Sequence, residues 1–134
     1  MARPASLSPT DGELAILRVL WESGPTTLGS LCTALRQERP VVTTTVATML
    51  KVMLTKGLVR RKASSRGYVW SAAVSHKAAA DTLLHKLLDR LFEGSAGRLV
   101  AHLLEEGTLS REERDEIRRL LEQGRDGTGL SEER

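Results

Sequence analysis

The chain has 134 residues, room for one ordinary domain, or for a head of about 75 residues plus a helical appendage that must find a partner to bury its apolar face. Hydrophobic residues make up 40% and aromatics only 3%, so any core is built from Leu, Val, Ala and Met, and helices are expected to dominate. The single cysteine, Cys32, excludes an internal disulfide and a thiolate metal cluster, and no apolar run approaches the roughly 18 residues of a membrane span. With no leader-like apolar start, the chain reads as cytoplasmic and outside any oxidising compartment.

The net charge of +3 conceals a division at Ser75. Up to that residue there are ten Lys/Arg against four Asp/Glu, and beyond it ten against thirteen. A strongly basic half beside an acidic one is the footprint of a protein that meets a polyanion with one half only.

After an aperiodic stretch from Met1 to Ser8, Thr10-Asp11-Gly12-Glu13 has the form of a capping box, and Leu14, Leu17, Leu20 and Trp21 follow at helical spacing until Gly24-Pro25. Thr26 or Thr27 can cap a second helix with Leu28, Leu31, Cys32 and Leu35 on its apolar stripe, which places Cys32 in inert core. A third helix opens at Thr43-Thr44-Thr45, with Thr43 as its cap, buries Val46, Met49, Leu50, Met53 and Leu54, and stops at Gly57. Its other face carries Thr44, Thr45, Thr48, Lys51 and Thr55.

The period then changes. Leu58 to Ala63 and Tyr68 to Ala73 are short runs of β-formers joined by Ser64-Ser65-Arg66-Gly67, a hairpin with a basic tip. Helical spacing resumes from His76 to Phe92 with Ala80, Leu83, Leu84, Leu87, Leu88 and Leu91, and Gly94 ends it. Ser95 leads a helix with Leu99, Val100, Leu103 and Leu104, closed by Gly107; Ser110 to Glu113 is a second capping box before Ile117, Leu120 and Leu121, with a stop at Gly124. The remainder, 125–134, is charged, Gly-bearing and expected to be disordered.

The expected fold is mainly α with a small β-hairpin wing: a winged helix-turn-helix DNA-binding domain over 1–75 and a three-helix dimerisation domain over 76–124. Three short amphipathic helices cannot bury their stripes alone, and a second copy would cover Leu83, Leu84, Leu87, Leu91, Leu99, Leu103, Ile117, Leu120 and Leu121; a different protein could serve instead.

A helix in the major groove turns its stripe to its own domain and offers short polar side chains to base edges. Thr44, Thr45 and Thr48, with Thr43 beside them, bring hydroxyls and methyls, while Lys51 suits a phosphate. In the hairpin Arg60, Arg61, Lys62 and Arg66 can follow the backbone or enter the minor groove. Tyr68 is counted with this surface, although its alternation with Trp70 suits the hairpin core.

No Ser/His/Asp or Cys/His set, metal spacing or phosphate loop is present, and His76, His85 and His102 stand far apart, so no enzyme, cofactor or metal is expected. The reading is a dimeric transcriptional repressor on double-stranded DNA, without membrane insertion. A protein-gripping adaptor and a nonspecific architectural protein are the alternatives.

Thr10-Asp11-Gly12-Glu13-Leu14 with Leu20-Trp21, Thr45-Val46-Ala47-Thr48-Met49-Leu50 followed by Lys56-Gly57-Leu58-Val59, and Arg66-Gly67-Tyr68-Val69-Trp70 occur in this order over most of the chain. In these residues the chain resembles the penicillinase repressors (BlaI/MecI), with copper-responsive CopY-type repressors as relatives. Phe92-Glu93-Gly94-Ser95 and Leu109-Ser110 are similar to the family's dimerisation half. The resemblance implies a homodimer on an inverted-repeat operator, with a helix of each subunit in a major groove. It also implies an upstream membrane sensor-protease system, with cleavage of the repressor at a bond that aligns with His102-Leu103. There the family has Asn-Phe, so the residue types differ. Family members often carry Arg where this chain has Val52, and some have Lys or Tyr near Thr44, which leaves room for a shifted operator. The copper-responsive relatives use a C-terminal cysteine cluster, which this chain lacks.

Overall fold

Thr10 and Glu13 close the expected capping box at the start of α1 (Asp11–Ser23): the Glu13 N–H donates to Thr10 Oγ1 at 3.2 Å, and the Thr10 N–H donates to Glu13 Oε1 at 3.0 Å. The structure is a computed structural model that describes residues 8–126. Buried on α1 are Ile16, Leu17 and Leu20, so Ile16, which the leucine spacing does not single out, belongs to the core stripe. Gly24 ends the helix at φ 79 and donates to Leu20 O.

Thr26 and Thr27 form β1 (Thr26–Thr27), a strand that a two-residue run is too short to announce. Thr27 also caps α2 (Leu28–Arg36), accepting from the Ser30 N–H at 3.2 Å. The helix buries Leu31 and Cys32.

The third helix, α3 (Thr43–Lys56), corrects one expectation: its N-cap is Val42, without a side-chain cap bond. Thr43 already lies inside the helix, and its hydroxyl accepts from Arg36 Nη2 at 3.0 Å, while Arg36 Nε donates to Val41 O at 3.1 Å. Arg36 therefore ties the end of α2 to the entry of α3. At the other end Gly57 takes φ 83; its N–H donates to Leu54 O and the Leu58 N–H to Met53 O, the paired bonds of a Schellman stop.

The wing consists of β2 (Val59–Ser64) and β3 (Gly67–Ala72), antiparallel, with Ser65-Arg66 as a two-residue turn and Gly67 at φ 111. β1 pairs with the other side of β3, giving the sheet order β1-β3-β2. The core of this region is Ile16, Leu17, Leu20, Leu31, Cys32, Val46, Leu50, Met53, Leu58, Val59 and Trp70. Each large apolar side chain buried there contributes about 1.5–3 kcal/mol relative to exposure.

The chain divides into two units within α4 (His76–Leu91): one reaches Lys86 and the other begins at Leu87. The boundary expected after Ser75 marks the start of α4, whose first turns belong to the first unit. There Ala79 is buried, and not the neighbouring Ala80 that the spacing suggests. The Trp21 indole meets His76 edge-on at 5.1 Å and donates from Nε1 to Val74 O at 2.9 Å, fixing the chain as it leaves β3.

The second unit holds the end of α4, then α5 (Ala96–Glu105) and α6 (Arg111–Asp126). Ser95 caps α5 through the Arg98 N–H, and Ser110 with Glu113 forms the second capping box. α6 runs through Gly124 to Asp126, so the expected stop at Gly124 is not one; glycine costs a helix only about 1 kcal/mol and need not end it. Residues 127–134 of the expected tail lie outside the described residues.

Candidate nucleic-acid interface

Val46, Leu50 and Met53 turn one side of α3 into the core, which leaves Thr44, Thr45, Thr48, Lys51, Val52 and Thr55 exposed on the other. The hydroxyls on this helix do not all have the same employment. Thr43 is engaged by Arg36 and Thr55 donates to Lys51 O at 3.2 Å, whereas Thr44, Thr45 and Thr48 make no side-chain hydrogen bond among the described residues. Three hydroxyls and one ammonium thus face outward without an internal partner, donors and acceptors suited to base edges and phosphate oxygens.

The hairpin register sorts the wing cations. Directly paired residues share a face, so Val59, Arg61, Ala63, Tyr68, Trp70 and Ala72 lie on one side, and Arg60, Lys62 and Ser64 with Gly67, Val69 and Ser71 on the other. The first side faces the core at Val59 and Trp70 and continues outward through Arg61 and Tyr68. Tyr68 is 45% exposed, so it is not hairpin core as its alternation with the buried Trp70 suggests. The Arg61 guanidinium stacks 4.1 Å from the Tyr68 ring centroid and 5.7 Å from that of Trp70. Such a stack is worth about 0.5–1 kcal/mol at an exposed site and holds the cation in one place. Arg60 and Lys62 are exposed on the opposite side, and Arg66 stands at the turn, where its N–H donates to Ser64 Oγ. The three consecutive cations of the sequence are therefore two separate sets.

Of this surface, Val52 emerges from the sequence only through the family resemblance, as a place where relatives often carry Arg, and Arg36 does not emerge at all. Val52 follows Thr45 by seven positions and Thr48 by four, so a helical projection would place it here. Arg36 acts through a seven-residue separation that no periodicity marks.

Among the other expected site residues, Leu83 and Leu84 lie in the first unit and Leu87, Leu91, Leu99, Leu103, Ile117, Leu120 and Leu121 in the second. In the second unit Leu88 is the one buried residue among those described. Leu91 is 68% and Leu121 67% exposed, and Leu104 and Leu120 are exposed too. His102 is exposed with its ring 5.7 Å from that of Phe92, and the His102–Leu103 bond lies inside α5. Among the described residues no three His, Cys, Asp or Glu side chains come together as a metal site, and no helix is long and apolar enough to cross a membrane.

The order α1, β1, α2, α3 and then the two-stranded wing defines a winged helix-turn-helix protein. The family model described as penicillinase repressor matches residues 9–123, and the chain belongs to that family. It is 25% identical over 114 residues to the penicillinase repressor of Bacillus licheniformis, covering 85% of this chain and 89% of that one. It is also 23% identical over 112 residues to an uncharacterized 16.5 kDa protein in the ptsI 3′ region of Latilactobacillus sakei, covering 84% and 77%. A solved structure of a variant of Lactococcus lactis ZitR aligns over 94% of this chain and 80% of its own, with 17% identity and a TM-score of 0.45. Family membership makes the chain a DNA-binding transcriptional repressor and not an enzyme.

Proposed function

We propose that the chain represses transcription as a homodimer on an inverted-repeat operator, with α3 of each subunit in a major groove and the wing against the adjoining backbone or minor groove. The observation that carries this reading is the outward face of α3, where Thr44, Thr45 and Thr48 keep their hydroxyls unengaged beside Lys51. On this reading the threonines read bases, and Lys51, Arg60, Arg61, Lys62 and Arg66 contact phosphates. Tyr68 serves by holding Arg61, and Thr43 by holding the entry of α3.

Pairing of two copies is supported by the second unit. Helices of 10 and 16 residues with Val100, Leu104, Leu120 and Leu121 in water are marginal alone, and a two-fold partner covers the same faces on both copies. Domain roles follow: the head up to the start of α4 binds DNA, and the helices beyond it dimerise. Release by a sensor-linked protease at His102–Leu103 would require α5 to open locally, since the bond lies in a helix.

The deciding experiment is selection of genomic fragments by the purified full chain, followed by titration of the selected fragments at two salt concentrations. Preference for particular fragments over bulk DNA, with affinity falling steeply as salt rises, is expected. Absence of any preferred fragment at moderate salt would leave a nonspecific architectural role, and absence of DNA binding an adaptor.

A further inference from the structure

Val52 is 45% exposed in the third turn of α3, on the side opposite Val46, Leu50 and Met53. At 100° per residue it continues the row formed by Thr45 and Thr48, positions i, i+3 and i+7 of one helix edge. Its exposed neighbours are Thr48, Lys51 and Thr55 and its partly buried ones Met49 and Lys56, so an isopropyl group is held in water along one margin of the polar face. Core packing does not explain it, since Met53 and Leu50 already fill that role.

Valine has neither donor nor acceptor and cannot read N7, O6, N6 or N4 of any base. The apolar feature that the major groove presents is the 5-methyl group of thymine. The γ-methyls of Thr45 and Thr48 carry the same chemistry along the same row, while their hydroxyls serve the polar edges. We propose that Val52 is a specificity-determining residue which, in line with Thr45 and Thr48, packs on thymine methyl groups, so that each operator half-site places a thymine opposite the third turn of α3. The inference rests on α3 lying in the major groove.

The test replaces the thymines of a selected operator fragment one at a time by deoxyuridine, which keeps every hydrogen-bonding group of the base and removes only the methyl. With the full chain, one or two substitutions per half-site weaken binding by about four-fold each, the factor for losing burial of one methyl-sized group. Val52→Ala, an exposed change that leaves the core untouched, binds the thymine and uracil forms at that position within about two-fold of each other. It keeps any sensitivity that belongs to Thr45 or Thr48. A selected operator with no uracil-sensitive position, or with sensitivity unchanged in Val52→Ala, overturns this inference and leaves operator binding standing. Failure to select any fragment overturns both.

Discussion

The Lys56 ammonium lies 2.8 and 3.0 Å from the two carboxylate oxygens of Glu13, joining the last turn of α3 to the first turn of α1. Glu13 is 5% exposed, and its Oε1 also accepts the Thr10 N–H. One carboxylate therefore closes the cap of α1 and anchors the helix that carries the proposed base-reading face.

Breaking such a pair from one side leaves a charge without its counterion, and losses of about 3–5 kcal/mol are usual for fully buried pairs. Lys56 keeps about a quarter of its side chain in water, which moderates the loss. Glu13→Gln is expected to destabilise the head by about 2 kcal/mol in urea unfolding. A change under about 0.5 kcal/mol would show the bridge to be energetically inert.

Arg36 holds the entry of α3 from outside the helix, through Val41 O and the Thr43 hydroxyl, where Val42 supplies no side-chain cap. Arg36→Ala should cost about 1 kcal/mol of stability, as expected for exposed hydrogen bonds to a charged group. Operator affinity should fall by more than that, because the Thr44 and Thr45 positions lose their fixed register. Equal losses in unfolding and in DNA titration would show that Arg36 contributes stability alone.

Phenylalanine at position 21 keeps an aromatic ring near His76 but loses the indole N–H that meets Val74 O at 2.9 Å. Trp21→Phe is expected to lower stability by about 1–2 kcal/mol, most of it from the carbonyl left without its donor. Thermal unfolding of the full chain reads the effect.

The number of phosphates that the protein neutralises can be read from salt dependence. Lys51→Ala and Arg66→Ala should each flatten the slope of log affinity against log salt by about 0.9, the value for one phosphate no longer neutralised, on any duplex sequence. A folded double variant with an unchanged slope would remove the basic face from the DNA interface.

Charges placed on the uncovered helices test pairing. Leu104→Glu combined with Leu121→Glu, both at exposed positions, should leave the head folded and shift sedimentation from dimer to monomer. Operator affinity should drop with it, because two half-sites are then bound independently. A wild-type chain that sediments as a monomer would contradict the proposed assembly outright.

The helices are legible in the sequence because their signals are local. The Thr10–Glu13 and Ser110–Glu113 boxes and the Gly57 stop all form as their spacing implies. What escapes depends on contacts distant in sequence. The two residues of β1 become a strand only because Val69 and Trp70 arrive beside them, and Thr43 sits one position inside the helix, its hydroxyl accepting from an arginine seven positions earlier instead of capping. The exposed threonine face of α3 is visible as a helical projection. The division of Arg60, Arg61 and Lys62 between two faces requires knowing which residues pair across the hairpin.

In the order β1-β3-β2 the central strand is paired with β2 along its length and with β1 at Val69 and Trp70, and β2 is left with one row of backbone donors and acceptors facing outward. An open margin of that kind invites a strand from another molecule, and crowding positive charge along it is a common protection. Arg60, Arg61 and Lys62 lie on that margin. The cations proposed to engage DNA would therefore also keep repressor molecules from stacking edge to edge, and stripping all three would trade weaker operator binding for a protein prone to self-association.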